Sequence, residues 1–491
     1  MSNTSNSINV ISETEERKNK INELNKIGLN PYPSKAKRTH EISEVIKNFS
    51  VLEESKENVF LCGRLRSKRA HGNLSFANLE DASKNIQIAI SKKEVGVDNY
   101  KLFKKLIDIG DFLEVNGNCF LTHKGEKSIM VKSFKLLSKA IRPLPDKWHG
   151  LKNEEEKFRK RYLDLLMNPG LREMFKKKTK FWEVTRNFMK EKGFFEVETP
   201  TIETTTGGAE ANPFKTYHKD FDLNVYLRIS VGELWQKRLM SAGFEKTFEI
   251  GRAYRNEGSG PEHIQEFTNM EFYWAYANYE DGMNLVRELY QTIAKKVFDT
   301  YKFEARGHKF DLSKEWPKID YREEVIKQTG IDILKAEKKE IEEKLKELKV
   351  KYDGSNKERL IDTLWKYCRK SISGPAFLIN HPKIVSPLAK AKEDNPELTE
   401  RFHVLIAGAE IGNGYSELNN PIDQKERFEE QKKLLEAGDE EAMMPDWEFV
   451  EMLEYGMPPT CGFGFGERLF AFLVNKPIRE VSLFPLVKPK N

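Results

Sequence analysis

The chain has few cysteines, no long apolar run and no marked excess of charge of one sign. Its four cysteines, Cys62, Cys119, Cys368 and Cys461, are far apart among 491 residues. This spacing excludes a zinc knuckle and a CxxC pair, and it is typical of reduced thiols. No uncharged apolar run approaches the ~18–20 residues that a membrane helix needs. The polar start of the chain lacks the apolar region of a secretory signal, so we expect a cytoplasmic protein.

The composition is that of a folded protein with several domains. Hydrophobic residues make up 38% of the chain and aromatic residues 11%, which is enough for real cores and excludes global disorder. At roughly 100–200 residues per domain, the length predicts about two to four domains. Lys and Arg number 82 against 77 Asp and Glu, and the resulting net charge of +5 decides nothing about nucleic acid.

The first 141 residues are predicted to be a helical extension followed by a small barrel. Residues 1–56 contain a charged helix over Glu15–Ile27, which ends before two prolines. Residues 57–141 hold three short strands, a helix and two more strands, separated by turn residues. This is the order of an OB-fold β-barrel. Residues 142–170 begin with Arg-Pro-Leu-Pro and are predicted to be a stiff linker.

The remainder, residues 171–491, alternates helices with antiparallel-looking strands, so the predicted fold class is α+β. An amphipathic helix over Met174–Lys192 carries an apolar stripe that we interpret as core, although part of it equally fits a dimer contact. Residues 335–350 form a charge-laced helix with little apolar face. This helix belongs to a predicted helical insertion at about 331–374, whose role the sequence does not reveal.

Two predicted strands, Phe248–Glu257 and Glu266–Asn278, carry the first chemistry-bearing pattern. Alternate side chains of a strand share a face. On the first strand Arg255 and Glu257 share a face with small residues, which leaves room for a ligand. The second strand has a polar face (Phe267, Asn269, Glu271, Tyr273) and a mostly apolar one (Thr268, Met270, Phe272, Trp274). The alternative is an ordinary surface hairpin, but the clean split of the pair favours a binding face.

A third strand, Gly412–Leu418, places Asn413, Tyr415 and Glu417 on one face, with Glu410 just upstream. An edge strand with glycine bulges is an equally good reading of this stretch taken alone. Near the C-terminus, the glycines of Gly462–Gly466 do not fit a dinucleotide fingerprint, because the third is misplaced and no βαβ unit follows.

The useful residue in that C-terminal stretch is Arg468, in the first turn of an apolar helix. The helix dipole disfavours a cation at this position. An anion such as a phosphate lying against the guanidinium explains the arginine, and a side chain turned out to solvent is the competing interpretation.

Together these stretches resemble the three signature motifs of class II aminoacyl-tRNA synthetases. The motifs are Gly193–Pro200, Phe248–Glu257 continuing into Glu266-Phe267, and Gly464–Leu469, and an OB barrel precedes them. Finer details are similar to lysyl-tRNA synthetases: TGGA at 206–209, LRI at 227–229 followed by Glu233, SPLAK at 386–390, NGYSELN at 413–419 and EYGMPPT at 454–460. The resemblance covers nearly the whole chain.

The resemblance implies a six- to seven-stranded antiparallel sheet flanked by helices, in a homodimer formed largely through the first motif. It also implies an activity: ATP, with Mg²⁺, activates L-lysine to lysyl-adenylate, and lysine is then transferred to the 3′ end of tRNA(Lys). The anticodon is expected to bind the OB barrel.

The family's site residues carry over to this sequence position by position. Arg255 is expected to hold the α-phosphate and the lysine carboxylate, and Arg468 to stack on the adenine opposite Phe267; both arginines are the expected catalytic residues. Glu257, His263 and Glu410 complete the expected ATP site. The expected lysine-binding residues are Gly208, Glu233, Arg255, Glu271, Tyr273, Asn413, Tyr415 and Glu417. Two carboxylates and a phenol around a buried ammonium fit lysine, because a neutral or acidic amino acid leaves those carboxylates unpaired.

In the barrel, Phe76 is the expected stacking platform for an anticodon base and Gln87 the expected reader of a base edge. Arg64, with Lys68 and Arg69, is expected to contact phosphates. The alternative for Phe76 is a place in the barrel core.

The sequence also departs from the family pattern. Arg401-Phe402-His403 stands where Arg-Phe-Glu is usual, so Glu410 is the expected Mg²⁺ ligand and His403 a poor partner, since Mg²⁺ prefers oxygen. Glu262 and Ile264 replace the usual arginine and asparagine of the second motif's loop. These changes indicate a divergent branch.

Three other functions fit parts of the pattern. A related synthetase for aspartate or asparagine is disfavoured by Glu233 and Glu417, because an acidic substrate calls for basic residues there. A non-catalytic RNA-binding paralogue is favoured only by the altered metal position. A lysine ligase acting on proteins would leave the OB barrel without a purpose.

Overall fold

A computed structural model describes residues 4–145, 153–208, 211–258, 260, 262–352, 356–438 and 442–490. The chain divides into two compact units, Met1–Leu151 and Lys152–Asn491. The four-part division drawn from the sequence stays a prediction, and residues 146–152 of its linker lie outside the described residues, as does Ala209 of the TGGA stretch. Within the described ranges, no helix is both long enough and apolar enough to cross a membrane.

The first unit is built on a closed five-stranded barrel, as predicted for an OB fold. The strands pair in the order β1-β2-β3-β5-β4, with β3 and β5 parallel and the other pairs antiparallel. The elements are α1 (Thr4–Lys26), α2 (Ile42–Lys47), α3 (Phe49–Ser55), β1 (Val59–His71), β2 (Leu74–Glu80), β3 (Asn85–Ser91), α4 (Lys92–Val95), α5 (Val97–Leu106), β4 (Phe112–Leu121) and β5 (Lys127–Ser138).

Alternation along the strands fills the barrel. Along β1, for example, Val59, Leu61 and Leu65 are fully buried, whereas Phe60, Cys62 and Arg64 between them are partly exposed. Ile42 and Phe49 of the preceding helices join the same core. The helix predicted over Glu15–Ile27 is longer than expected, because α1 begins at Thr4.

The second unit is α+β. Its elements are α6 (Glu154–Arg159), α7 (Arg161–Met167), α8 (Pro169–Glu191), β6 (Phe195–Glu196), β7 (Ile202–Glu203), β8 (Lys215–His218), β9 (Leu223–Leu227), α9 (Glu233–Ser241), β10 (Lys246–Tyr254), β11 (Glu266–Ala275), α10 (Tyr279–Ile293), β12 (Lys302–Ala305), β13 (His308–Asp311), β14 (Lys318–Asp320), α11 (Tyr321–Thr329), α12 (Lys338–Glu347), α13 (Lys357–Cys368), β15 (Ala376–Pro382), β16 (Leu398–Ile406), β17 (Ala409–Ser416), α14 (Pro421–Glu436), α15 (Trp447–Glu454), β18 (Thr460–Gly466), α16 (Arg468–Leu473) and α17 (Ile478–Val481).

The main sheet has the strand order β14-β15-β16-β17-β18-β11-β10-β6. Its six central strands are antiparallel, in agreement with the predicted sheet, and the two edge strands run parallel to their neighbours. The sheet therefore has eight strands rather than six or seven. Helices α8 and α10 cover one face and share with it the largest core, in which Phe272, Tyr290 and Phe463 are buried.

Several predicted strands end earlier than expected. The strand predicted over Phe248–Glu257 stops at Tyr254, so Arg255 and Glu257 lie in the following loop. The strand predicted to reach Asn278 stops at Ala275, because Tyr276 takes a left-handed conformation (φ +63°) and Asn278 caps α10. The strand after Gly193 is only two residues long.

The insertion packs against the sheet edge. Ile341 and Leu345 of α12 are fully buried, so the prediction of little apolar face was wrong. They share a core with Leu364 and Trp365 of α13 and with Leu378 of β15. Two buried positions four residues apart are enough for one side of a short helix, and the many charges around them hid this pattern in the sequence.

Candidate active site

The polar face predicted for the β10–β11 pair exists. Glu249 lies opposite Glu271 and Gly251 opposite Asn269 in the antiparallel register. Met270 and Phe272 point to the core on the other side of β11, where both are fully buried. The alternation of polar and apolar residues in this strand is therefore confirmed, and the ordinary surface hairpin is excluded.

Strand β18 makes room beside that face through its glycines. Gly462, Gly464 and Gly466 lie opposite Tyr273, Glu271 and Asn269. A Cβ added at each glycine would collide with, or press tightly on, the side chain opposite. The phenylalanines between them are buried in the core. The Gly-Phe alternation thus lets the side chains of Tyr273, Glu271 and Asn269 lie directly against β18 on one side and packs phenylalanines into the core on the other.

A buried acidic pocket forms where α9, β11 and the end of β17 meet. Glu233, Glu271 and Glu417 are 6%, 5% and 2% exposed. The Tyr415 hydroxyl donates a hydrogen bond to Glu233 Oε1, and the Tyr273 hydroxyl donates to Glu271 Oε2 over 3.3 Å. The structure therefore brings together expected lysine-binding residues that come from three separate stretches of the sequence.

Gly208 closes one side of this pocket. Its φ of +97° favours glycine, and a Cβ there would press on Glu233 and on the Ser230 hydroxyl. Glu271 is held in place by the Val231 amide, at 2.7 Å, and by Asn269 Nδ2, at 3.0 Å. The Glu271 carboxylate is thus held by donors that carry no charge.

Lys237 lies among these acids, and the sequence analysis missed it. Its Nζ is 3.0 Å from Glu233 Oε1 and 2.5 Å from Glu417 Oε2, and its side chain is 1% exposed. The available signal was its position four residues after Glu233 on a predicted helix, the spacing of an ion pair. The carboxylates expected to bind the substrate's ε-ammonium thus already bind one internal ammonium.

Burial and mutual repulsion shift the titration of these acids. Burial, reinforced by the charge of Glu233, raises the pKa of Glu271 to about 7. The pKa of Glu417 is raised to about 8, mainly by burial and despite Lys237. Burial alone would lower the pKa of Lys237, but Glu233 and Glu417 outweigh it and raise that pKa, so Lys237 stays charged.

Arg255, Glu257 and His263, expected to bind the nucleotide, lie in the loop between β10 and β11, and Phe267 lies at the start of β11. The guanidinium carbon of Arg255 is 5.4 Å from the centre of the Phe267 ring, and its Nε donates to the Ile229 carbonyl over 3.3 Å. Burial lowers the pKa of Arg255. Glu257 is half-buried, whereas His263 is exposed on the loop that joins the strands.

An anion lies against the guanidinium of Arg468, which agrees with the first of its two interpretations and not with a side chain turned out to solvent. That anion is the carboxylate of Glu262, which binds both Arg468 and Arg306. Asn413, expected near the lysine carboxylate, accepts a 3.0 Å hydrogen bond from Arg401 Nε. No role could be assigned to Arg401 from the sequence, because Asn413, its partner, lies on a different strand, β17, and the pairing of β16 with β17 cannot be seen in a local pattern.

The side chains at the expected Mg²⁺ position are not a suitable set of ligands for magnesium. The Glu410 carboxylate accepts a 2.6 Å hydrogen bond from Trp365 Nε1 and lies 3.0 Å from His403 Nδ1. One carboxylate and one imidazole are a poor set for an ion that prefers oxygen. In the part of the chain that the structure describes, no group of three His, Cys, Asp or Glu side chains is arranged to hold a metal.

These partners also set the charge of Glu410. Burial would raise its pKa, but His403 and the other donors outweigh burial and hold it well below its ordinary value. Trp365 belongs to the insertion, so this segment reaches the site through one buried indole.

On the barrel, Phe76 and Gln87 lie on the outer face of neighbouring strands. Phe76 is half-buried, whereas Ser75 and Ala77 on either side point inward, so the alternative that Phe76 belongs to the core is wrong. Gln87 donates to the Ser128 hydroxyl over 2.9 Å. Both side chains thus lie on the outside of the barrel, and their contact with an anticodon ligand stays a prediction.

Arg64 and Lys68 are less well placed for that ligand. Arg64 lies opposite Glu80, four residues along β2 from Phe76, and its guanidinium rests 4.2 Å from the Phe112 ring centre. Lys68 was wrongly expected to contact phosphate. Its Nζ donates to the carbonyls of Phe103, Lys104 and Ile107 at the end of α5, and burial lowers its pKa to about 8.

The fold and this face define a class of protein. An antiparallel sheet carrying the three motifs, in the same chain as an OB barrel, is the architecture of a class II tRNA synthetase. A family model described as "tRNA synthetases class II (D, K and N)" matches residues 153–488, and one described as "OB-fold nucleic acid binding domain" matches residues 59–137.

Similar proteins narrow the class. A protein named Lysine--tRNA ligase from Thermotoga maritima is 44% identical over 482 residues, which cover 97% of this chain and 96% of that protein. Another of that name from Carboxydothermus hydrogenoformans is 43% identical over 476 residues, covering 96% of this chain and 97% of that protein. The chain therefore belongs to the class II tRNA synthetase family, in the branch of the lysine–tRNA ligases.

Proposed function

We propose that this chain acts as a lysine–tRNA ligase. It activates L-lysine with ATP to lysyl-adenylate and pyrophosphate, and it transfers lysine to the 3′ end of tRNA(Lys). The observation that carries the proposal is the pocket of three buried carboxylates, Glu233, Glu271 and Glu417, between α9 and the sheet. Buried carboxylates need cationic partners, so an amino acid with two ammonium groups suits this pocket and an acidic one does not.

Lysine is proposed to lie along β11. Its α-ammonium would meet Gly208 and Glu271, and its ε-ammonium would meet Glu417 and Tyr273, with Glu233 and Tyr415 behind them. Its carboxylate would point to Arg255 and Asn413. In support, Oε1 of Glu417 has no hydrogen-bond partner among the described residues and lies directly against Gly462 of β18.

The chemistry needs no general base, because the lysine carboxylate is already ionised near neutral pH. Its oxygen attacks the α-phosphorus of ATP in line, and the bond to pyrophosphate breaks as the new one forms. Arg255 and Arg468 hold the phosphates and stabilise the developing charge, and Glu257, His263 and Phe267 place the nucleotide. Magnesium is proposed only as the partner of the ATP phosphates, with Glu410 nearby.

The barrel is proposed to bind the anticodon through Phe76 and Gln87, with Arg64 toward the backbone. A homodimer is also proposed, because Phe195 of the first motif, and Ile202 and Phe221 after it, leave 57–74% of their surface exposed. Cytoplasmic localisation stays a prediction.

Charging of tRNA tests the whole function. The purified protein should attach lysine to a tRNA(Lys) transcript and lose most of this activity when an anticodon base is changed. Asp and Asn should not be attached to their own tRNAs. Equal charging of transcripts with unrelated anticodons would contradict the role of the barrel, and absence of lysine charging would contradict the function.

A further inference from the structure

Lys237 is a buried cation inside the proposed lysine pocket. It lies on α9, one turn after Glu233, and bridges that carboxylate and Glu417. The rings of Tyr273, Tyr415 and Phe449 surround its ammonium at 5.4–5.9 Å from their centres. Such an enclosure excludes water, so the charge on Lys237 is balanced by its neighbours rather than by solvent.

The charges in this pocket do not balance without a ligand. Glu233, Glu271 and Glu417 carry up to three negative charges, and Lys237 supplies one positive charge. The hydrogen bonds to Glu271 come from neutral donors: the Val231 amide, Asn269 and Tyr273. One oxygen of Glu417 has no hydrogen-bond partner within the described ranges. Counting these four side chains, two negative charges remain when all three acids are ionised; Arg255, which also faces Glu271, is assigned to the carboxylate of lysine and to the α-phosphate.

We propose that Lys237 is a permanent counter-cation that sets the charge of the pocket to minus two, which matches a substrate with two ammonium groups. This inference rests on the proposed function and deepens it. Lys237 acts as a positioning and specificity-determining residue: it fixes the carboxylates of Glu233 and Glu417 and keeps both ionised in the complex. It does not touch the reacting atoms.

The barrel holds a matched control. Lys139 is also fully buried, and its Nζ lies 2.5 Å from Asp108 and 2.8 Å from Asp111, far along the chain from the pocket residues. Removing either lysine leaves buried acids without their cation and destabilises the fold. Only Lys237 is expected to change the recognition of lysine.

The pH profile of lysine binding separates a role of Lys237 in recognition of the substrate from a role in stability alone. The titratable and charged groups that face Lys237 and its acids are Glu233, Glu271, Glu417, Tyr273, Tyr415, Glu203, Arg255 and Arg401. Among them the acids must be ionised to bind ammonium groups. A nearby cation favours ionised carboxylates, so its removal moves their ionisation to higher pH.

The experiment measures lysine-dependent ATP–pyrophosphate exchange with Lys237→Met, Lys237→Arg and Lys139→Met between pH 6 and 9. Lys237→Met should raise the KM for lysine at least tenfold, keep the KM for ATP within twofold, and move the midpoint of kcat/KM for lysine up by about one pH unit. Lys237→Arg should keep that midpoint near the wild-type value. Lys139→Met should lose stability but keep both lysine parameters.

Results that contradict the role of Lys237 can be told apart from results that contradict the proposed function. An unchanged lysine KM and midpoint in Lys237→Met would overturn the inference while the wild type remains active. Wild type without lysine-dependent exchange would overturn the function itself. If Lys237→Met does not fold, Lys237→Gln, which keeps a hydrogen-bond donor but removes the charge, takes its place: the same rise in the lysine KM and the same upward shift of the midpoint are expected, and unchanged values would overturn the inference.

Discussion

Glu262 forms an ion pair with Arg468, so a carboxylate of the chain itself lies where the nucleotide is proposed to bind. Arg306 binds the other oxygen of Glu262. Burial would raise the pKa of Glu262, but Arg468 and Arg306 outweigh it and lower that pKa, so the carboxylate stays ionised near neutral pH. ATP must therefore displace this internal anion before it can use Arg468.

Replacing that anion should ease the binding of ATP. Glu262→Gln removes the competing charge, and the pair is half-exposed, so its worth is modest, about 0.5–1 kcal/mol. We expect the KM for ATP in pyrophosphate exchange to fall about two- to fivefold, with the KM for lysine unchanged. Glu304→Gln, an exposed acid on β12, is the control and should change neither. A higher KM for ATP would show that Glu262 assists the nucleotide instead.

The insertion should support the site through Trp365. Trp365→Phe keeps most of the buried ring but removes the donor to Glu410, and a lost hydrogen bond of this kind costs about 1–3 kcal/mol. We expect the free energy of unfolding of the catalytic unit, measured in urea, to fall by that amount. Trp447→Phe, at a side chain that is 45% exposed, should have little effect. If Trp365→Phe and Trp447→Phe were equally stable, the insertion would not support the site through Trp365.

Lysine affinity should rise with pH across the neutral range. The pKa values of Glu271 and Glu417 are raised to about 7 and about 8, so these acids hold protons at pH 6 in the empty pocket. Their protonated forms carry no charge to bind ammonium groups, and the ε-ammonium of lysine, with a pKa of about 10.4, stays charged throughout. The KM for lysine should therefore fall several-fold from pH 6 to pH 8.5, while the KM for ATP changes little. A lysine KM that rises over this range would contradict the assignment.

The barrel should affect tRNA and not the first reaction step. Phe76→Ala removes a stacking platform worth about 1–3 kcal/mol per base, so the KM for tRNA(Lys) in charging should rise about five- to 100-fold. Pyrophosphate exchange, which needs no tRNA, should stay at the wild-type rate. Val51→Ala, an exposed apolar position on α3, is the control. Normal charging by Phe76→Ala would mean that the anticodon binds elsewhere.

Local pattern was enough to predict the five strands of the barrel and the two faces of β11. Period-two alternation separated Glu271 from Phe272 correctly, and turn residues marked the five strands of the barrel. The partners of these side chains lie on other elements, and no local pattern shows them. Trp365 precedes Glu410 by 45 residues and approaches it only because α13 packs on the sheet edge. The strand ends were also missed, since they depend on single residues such as Tyr276 with its left-handed backbone.

The central claim is that the acidic pocket selects lysine for activation by ATP, and pyrophosphate exchange across a panel of amino acids tests it most directly. Wild type should catalyse exchange with lysine and show at most a few per cent of that rate with Asp, Asn, Arg or norleucine. Arg255→Ala should lose at least about 100-fold of the lysine-dependent rate while keeping its fold, and the surface control Arg287→Ala should not. Exchange that is equally fast with an acidic or neutral amino acid, or that persists in Arg255→Ala, would contradict the account.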